Sequence, residues 1–184
     1  IIGDYTVNFR HAKPLEIPGV DFKKSSIITL IGQTNVKDEM AAYCNWLTKD
    51  ITQKNLDCKV IYKLHPSDHI KHYQNRFSLN ENLHILDYKT NIHDILRESD
   101  YCVGVFSTAI FDAAAYNIPN YILQVDKYKH YINDIVDSKV AALMNGFENP
   151  MRMQKFSATE SSFFYAPYSP EKLYGFVEQS LWFA

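Results

Sequence analysis

The sequence is short of cysteine: Cys44, Cys58 and Cys102 are the only three in 184 residues. An odd number at wide spacing is neither a disulfide framework nor a zinc cage. Buried reduced thiols in a reducing, cytoplasmic setting are expected. Glycine (6) and proline (7) are too scarce for collagen or a flexible low-complexity linker. A basic excess is also missing. Nineteen Lys and Arg face twenty-one Asp and Glu, a formal charge of −2, so no nucleic-acid partner is expected. No apolar run reaches the roughly 18 residues that a membrane helix needs. The glycine-rich GxGxxG and GxxxxGK[ST] motifs are absent, which argues against a dinucleotide-binding oxidoreductase and a P-loop ATPase. A GxSxG elbow is absent too, which argues against an α/β-hydrolase.

What is present is an ordinary globular composition, 46% apolar and 22% charged, long enough for one good core. Residues 1–25 are broken by Pro14, Pro18 and Gly19 and read as an irregular leader. Residues 26–184 read as one domain. Continuous apolar runs predict strands at Ile27–Gly32, Cys58–Leu64, Leu83–Tyr88, Tyr101–Phe106 and Asn120–Val125. Between them, Met40, Tyr43, Cys44, Leu47 and Ile51 recur at helical spacing, so a helix is predicted over about 37–54. Asn55 is its stop. Further helices are predicted to about Phe77, at Ile92–Ser99 behind an Asn91 or Thr90 cap, and at Ser107–Asn117. Residues 127–147 are expected to hold one or two more. Residues 151–170 read as a loop with aromatic anchors, and a last helix is expected from Ser169–Pro170 to about Leu181. Strands alternating with helices imply a Rossmann-like α/β fold. It would be a parallel sheet of about five or six strands, with helices on both faces.

In such sheets ligands bind beyond the carboxyl ends of the strands. The polar residues expected there are Gln33, His65-Pro66, Tyr88, Ser107-Thr108 and Asp126. Ser107 and Thr108 open a helix, so their hydroxyls and the first free N–H groups suit a phosphate; equally, Ser107 suits an ordinary N-cap. His65 suits a hydrogen bond to an anionic oxygen, or packing at a strand end. Lys63 shares its face if the strand stays regular to His65; otherwise it is a solvated lysine. Tyr88 could stack on a base or simply lie half-exposed. Asp126 could take a sugar hydroxyl or cap the next segment. His69 and His72 at i, i+3 have no partner carboxylates at metal spacing, and no metal site is assigned.

The order strand–KLHP, then NIHDILRESDYCVGVFSTAIFDAAAYNIPNYI, resembles the carboxy-terminal half of bacterial GT-B glycosyltransferases that use CMP- or CDP-linked donors. These include sialyltransferases, polysialyltransferases and CDP-glycerol glycerophosphotransferases. The resemblance covers roughly Ile27–Asp126. It rests on His65-Pro66 and on Ser107-Thr108 with Glu98-Ser99-Asp100 leading in. Val105-Phe106 stands where the glycerophosphotransferases have Asp-Tyr, which favours a sugar donor. The resemblance implies donor-phosphate contacts by His65, Ser107 and Thr108; Lys63, Pro66, Tyr88 and Gln33, at the same strand ends, are expected around the nucleotide. It implies His65 as the catalytic group and no required cofactor. It also implies a glycan acceptor held by a preceding domain, with residues 1–25 as the linker. The start at Ile1 rather than Met, with no signal peptide behind it, fits a piece of such a protein. Transfer by this half alone is not expected. Surface-polysaccharide synthesis in the cytoplasm, at the inner face of the membrane, would follow. The alternatives are a non-catalytic binding or assembly module, with Phe163, Phe164, Tyr165 and Tyr168 at its interface, and a nucleotide-sugar epimerase-like domain.

Overall fold

Five apolar runs and one short sixth segment assemble into a single all-parallel sheet. The computed structural model describes residues 13–73 and 75–156. The expected aromatic interface at Phe163–Tyr168 and the expected helix to Leu181 lie outside the described residues. The strands are β1 (Ser26–Ile31), β2 (Cys58–Lys63), β3 (Leu83–Leu86), β4 (Tyr101–Gly104), β5 (Asn120–Leu123) and β6 (Ala142–Met144). The α-helices are α1 (Lys37–Gln53), α2 (Ile92–Arg97), α3 (Ala109–Ala115) and α4 (Lys129–Asp137). Strand order is β3-β2-β1-β4-β5-β6. The chain therefore winds outward from β1 to β3, then crosses back to β4 and winds the other way. Such a reversal opens a crevice between the first and fourth strands at their carboxyl ends.

Local chemistry explains the helices. On α1, Met40, Tyr43, Cys44, Leu47 and Ile51 are buried on one face, against the sheet. Asp38 and Glu39 occupy its first turn, where negative charge is favoured. Asn55, at φ 48°, takes the left-handed conformation that ends the helix. The predicted stretch to Phe77 is only a short 3-10 turn, Ile70–Tyr73. Residues 127–147 hold α4 and also the unexpected β6.

Both faces of the sheet are covered, as a parallel sheet requires. Ile28, Leu30, Val60 and Tyr62 belong to the main core with α1. Their alternates Ile27 and Ile61 pack on the other face with Ile95 of α2. There Leu15, Ile17, Val20 and Phe22 join them, so residues 13–25, although irregular, lie against the sheet. Thr29, fully buried, is satisfied across that face by a 2.6 Å hydroxyl contact with Ser99. All three cysteines are buried and reduced.

Each of the first five strands stops one or two residues before its apolar run does. The residues left over lead into the loops at the carboxyl edge, with Gly32 and Leu64 each still donating one backbone bond to the neighbouring strand.

Candidate functional site

Four of those loops enclose a cleft of about 370 Å³, within the range of small-molecule sites. Its floor is Gly32, just after β1. The Gly32 N–H donates to the Lys63 carbonyl at 2.8 Å, and a Cβ there would stand 2.7 Å from the same oxygen and 2.9 Å from the Tyr62 ring. Only glycine lets β1 and β2 close at this point.

The second wall lies beyond β2. The strand ends at Lys63, so the alternation that would have paired the side chains of Lys63 and His65 does not continue; both nevertheless line the cleft. Lys63 is not solvated: it is only 6% exposed, and its ammonium donates to Leu64 O at 2.9 Å and Asp87 O at 3.0 Å. Burial lowers its pKa, with the Asp87 carboxylate acting in the opposite sense. His65 is half-buried, and its Nδ1 accepts the Ser67 N–H at 3.1 Å. A ring nitrogen that accepts carries no proton, so Nε2 bears the hydrogen of the neutral imidazole. Pro66 lines the cleft beside it.

The third wall is the loop after β3. Tyr88 is 42% exposed, with the Lys89 ammonium 5.9 Å from its ring centre. Asn91 rather than Thr90 caps α2, accepting the His93 N–H at 3.1 Å.

The fourth wall is the entry to α3. The helix begins at Ala109, not Ser107, and has seven residues. Ser107 Oγ accepts the Ala109 N–H at 3.3 Å, but the N-cap position is Thr108, whose side chain makes no capping hydrogen bond, so Ser107 is not the N-cap expected from sequence; its own O–H is left to donate. Thr108 is exposed and lines the cleft.

Asp112, one helical turn beyond Thr108, completes this wall. Burial raises the pKa of its carboxyl, with His93 acting to lower it. Its i, i+4 spacing from Thr108 would have marked it, because residues four apart share a helix face.

Two expected participants sit elsewhere. Gln33 is buried and is not among the cleft-lining residues. Its Oε1 accepts the Phe106 N–H at 3.0 Å, so it ties the loop after β1 to the loop after β4. Asp126, which accepts from Gln124 Nε2 at 3.2 Å, is also outside the lining. Among the described residues no group of three or more His, Cys, Asp or Glu could hold a metal ion. No described helix is long and apolar enough to cross a membrane.

The arrangement is a polar cleft with two lysine ammonium groups (Lys63, Lys89) and the His65 ring on one side, two hydroxyls beside them, and the Asp112 carboxyl on the α3 wall. It suits a ligand that is anionic at one end and carries hydroxyl groups at the other.

The family model described as alpha-2,8-polysialyltransferase (POLYST) matches residues 28–124, more than half of the chain. No curated protein matches. Among solved structures, UDP-GlcNAc 2-epimerase from Methanocaldococcus jannaschii superposes with a TM-score of 0.57 at 11% identity, covering 96% of this chain and 49% of that one. The S. aureus MnaA–UDP co-structure gives 0.55 at 12% identity, covering 98% and 49%. The glycosyltransferase SnogD from Streptomyces nogalater gives 0.47 at 12% identity, covering 78% and 34%. At these identities the likeness is one of fold. The chain spans a third to a half of the length of these solved structures.

Proposed function

The chain belongs to the alpha-2,8-polysialyltransferase family, and from that premise we propose that it is the donor-nucleotide half of a glycosyltransferase, binding a CMP- or CDP-linked sugar. One observation carries the reading. His65 and Ser107-Thr108, some forty residues apart in sequence, line the same cleft at the carboxyl edge of the sheet.

In this reading the donor phosphate lies between His65 Nε2–H and the hydroxyls of Ser107 and Thr108. Lys63 contributes a buried positive charge behind it. Tyr88 offers a ring to the base, and Asp112 accepts hydroxyl groups of the ribose or sugar. When the bond between the sugar's anomeric carbon and the phosphate oxygen breaks, negative charge collects on the phosphate. Donors already aimed at that oxygen lower the barrier, the His65 Nε2–H among them by hydrogen bonding to the leaving group. The neutralising groups are side chains, so binding is expected with and without magnesium. The acceptor glycan and the base that activates it belong to another domain, and residues 1–25 serve as the link to it.

Calorimetric titration of the chain with CMP, CDP, UDP and ADP tests this. Saturable binding of a cytidine nucleotide, weakened by His65→Ala and by Ser107→Ala, is expected. A preference for UDP would move the reading toward an epimerase-like domain. Absence of binding to all four would favour a non-catalytic module and overturn the proposal.

A further inference from the structure

The turn that presents His65 is fixed to the core by an unusual buried carboxylate. Asp68 is 3% exposed, and its Oδ1 has no hydrogen-bond partner. Near it lies the His72 Nδ1, 3.7 Å away, but that nitrogen accepts the His69 N–H at 3.4 Å and so offers the carboxylate no proton. Burying a carboxylate so poorly compensated is unfavourable, and such a group calls for an explanation beyond packing. Its one good bond comes from Tyr73, whose O–H donates to Oδ2 at 2.8 Å. Tyr73 is itself rigid. It stacks on Phe77 at 5.5 Å and meets the ring of Tyr62, on β2, edge-on at 5.6 Å. Burial raises the Tyr73 phenol pKa, so it remains a donor.

From this anchor the chain runs straight to the imidazole. The Asp68 N–H donates to His65 O at 2.9 Å and closes a four-residue turn with Pro66 at its second position, where a fixed φ is favoured. Inside the turn, the Ser67 N–H donates to His65 Nδ1 at 3.1 Å. A backbone amide can only donate, so it selects the Nε2–H tautomer. We infer that Asp68 is a positioning residue: its buried carboxylate, held by Tyr73, locks the His65–Asp68 turn and thereby fixes His65 with Nε2–H toward the ligand. Only the consequence for binding rests on the function proposed above; the tautomer does not.

The test is nitrogen-resolved NMR of the whole chain labelled with 15N-histidine, at about pH 8, above the ordinary imidazole pKa of about 6.5. The His65 signals are those missing from His65→Gln. The wild type should show a protonated Nε2 and an unprotonated Nδ1. Tyr73→Phe and Asp68→Ala should each show a mixture of tautomers. Asp68→Asn keeps an acceptor for Tyr73 and should restore the single form. CMP affinity should fall about tenfold in Tyr73→Phe, the weight of one hydrogen bond to a charged group. A wild-type Nδ1–H form, or an unchanged tautomer in Tyr73→Phe, overturns the inference. If Asp68→Ala does not fold, Tyr73→Phe decides alone. If the wild type binds no nucleotide, the proposed function fails, while the tautomer measurement still decides the role of Asp68.

Discussion

Replacing Gly32 with alanine would put a methyl group 2.7 Å from the Lys63 carbonyl oxygen and 2.9 Å from Tyr62 Cε1. Neither neighbour can yield cheaply. The carbonyl accepts the Gly32 N–H at 2.8 Å, so moving it breaks a bond that closes β1 on β2. The Tyr62 ring is fully buried and wedged against Tyr73 and Phe77. Overpacking of this kind costs about 1–3 kcal/mol. With a urea m-value of about 2 kcal/mol/M, the midpoint should fall by roughly 0.5–1.5 M. Gly104 is the control. A Cβ there meets the flexible end of Ile110 at 3.0 Å, so Gly104→Ala should cost less than half as much. The assay is urea unfolding followed by far-UV circular dichroism, with CMP binding measured on the folded variants. Because Lys63 O moves with Leu64 and His65, Gly32→Ala should also weaken CMP binding, whereas Gly104→Ala should not. Equal midpoints for Gly32→Ala and the wild type would refute the steric reasoning.

The same geometry sets three further outcomes. Asp112→Asn should trade binding for stability. Burial raises the folded pKa of Asp112, so its protonated form favours folding below the unfolded pKa, and that contribution is lost as pH rises through the folded pKa. The urea midpoint of Asp112→Asn should therefore exceed wild type at pH 7 and match it near pH 3, while CMP affinity drops. Asp50 has the opposite sign. Burial pushes its carboxyl up, but hydrogen bonds from Asn149 and Lys54 outweigh that and hold it below the usual range. Its contribution is full above about pH 4 and is lost as pH falls through the folded pKa. Asp50→Asn should be destabilised at pH 7, with the gap closing in acid. Burial pushes the Cys44 and Cys58 thiols up to about 12 and raises that of Cys102. A thiol reagent at pH 8 should therefore label the native chain slowly at all three positions and label it rapidly in urea.

The parallel α/β character was legible because buried-on-both-faces strands leave continuous apolar runs, and Ile27–Ile31 or Cys58–Leu64 could hardly be anything else. The strand β6 was not, because Ala142–Met144 is three residues long and no pattern can be read in so little. Element ends were misplaced for one physical reason. An apolar residue such as Val105 stays buried after the strand has ended, so hydrophobicity runs past the strand. Most of the cleft could be found from the polar residues just beyond the carboxyl end of each strand. That rule located His65, Tyr88, Ser107 and Thr108. It also picked Gln33, whose amide stitches two loops together instead of lining the cleft, because side-chain direction after a strand is not in the sequence. It missed Asp112, which lies inside a helix and reaches the cleft by helical periodicity. For Lys63 the sequence left a ligand-facing and a solvated lysine both open, and its burial was not legible, because two backbone carbonyls, one from a different strand's loop, are what allow it.

The most direct test of the account is a 15N–1H spectrum of the chain titrated with CMP. The account predicts amide shifts centred on Gly32, Lys63–His65, Tyr88–Asn91, Ser107–Ala109 and Asp112, which line one cleft. Shifts centred instead on the opposite edge of the sheet, around Asn55–Lys59 and Glu81–Asn82, would contradict it, as would a spectrum that CMP leaves unchanged.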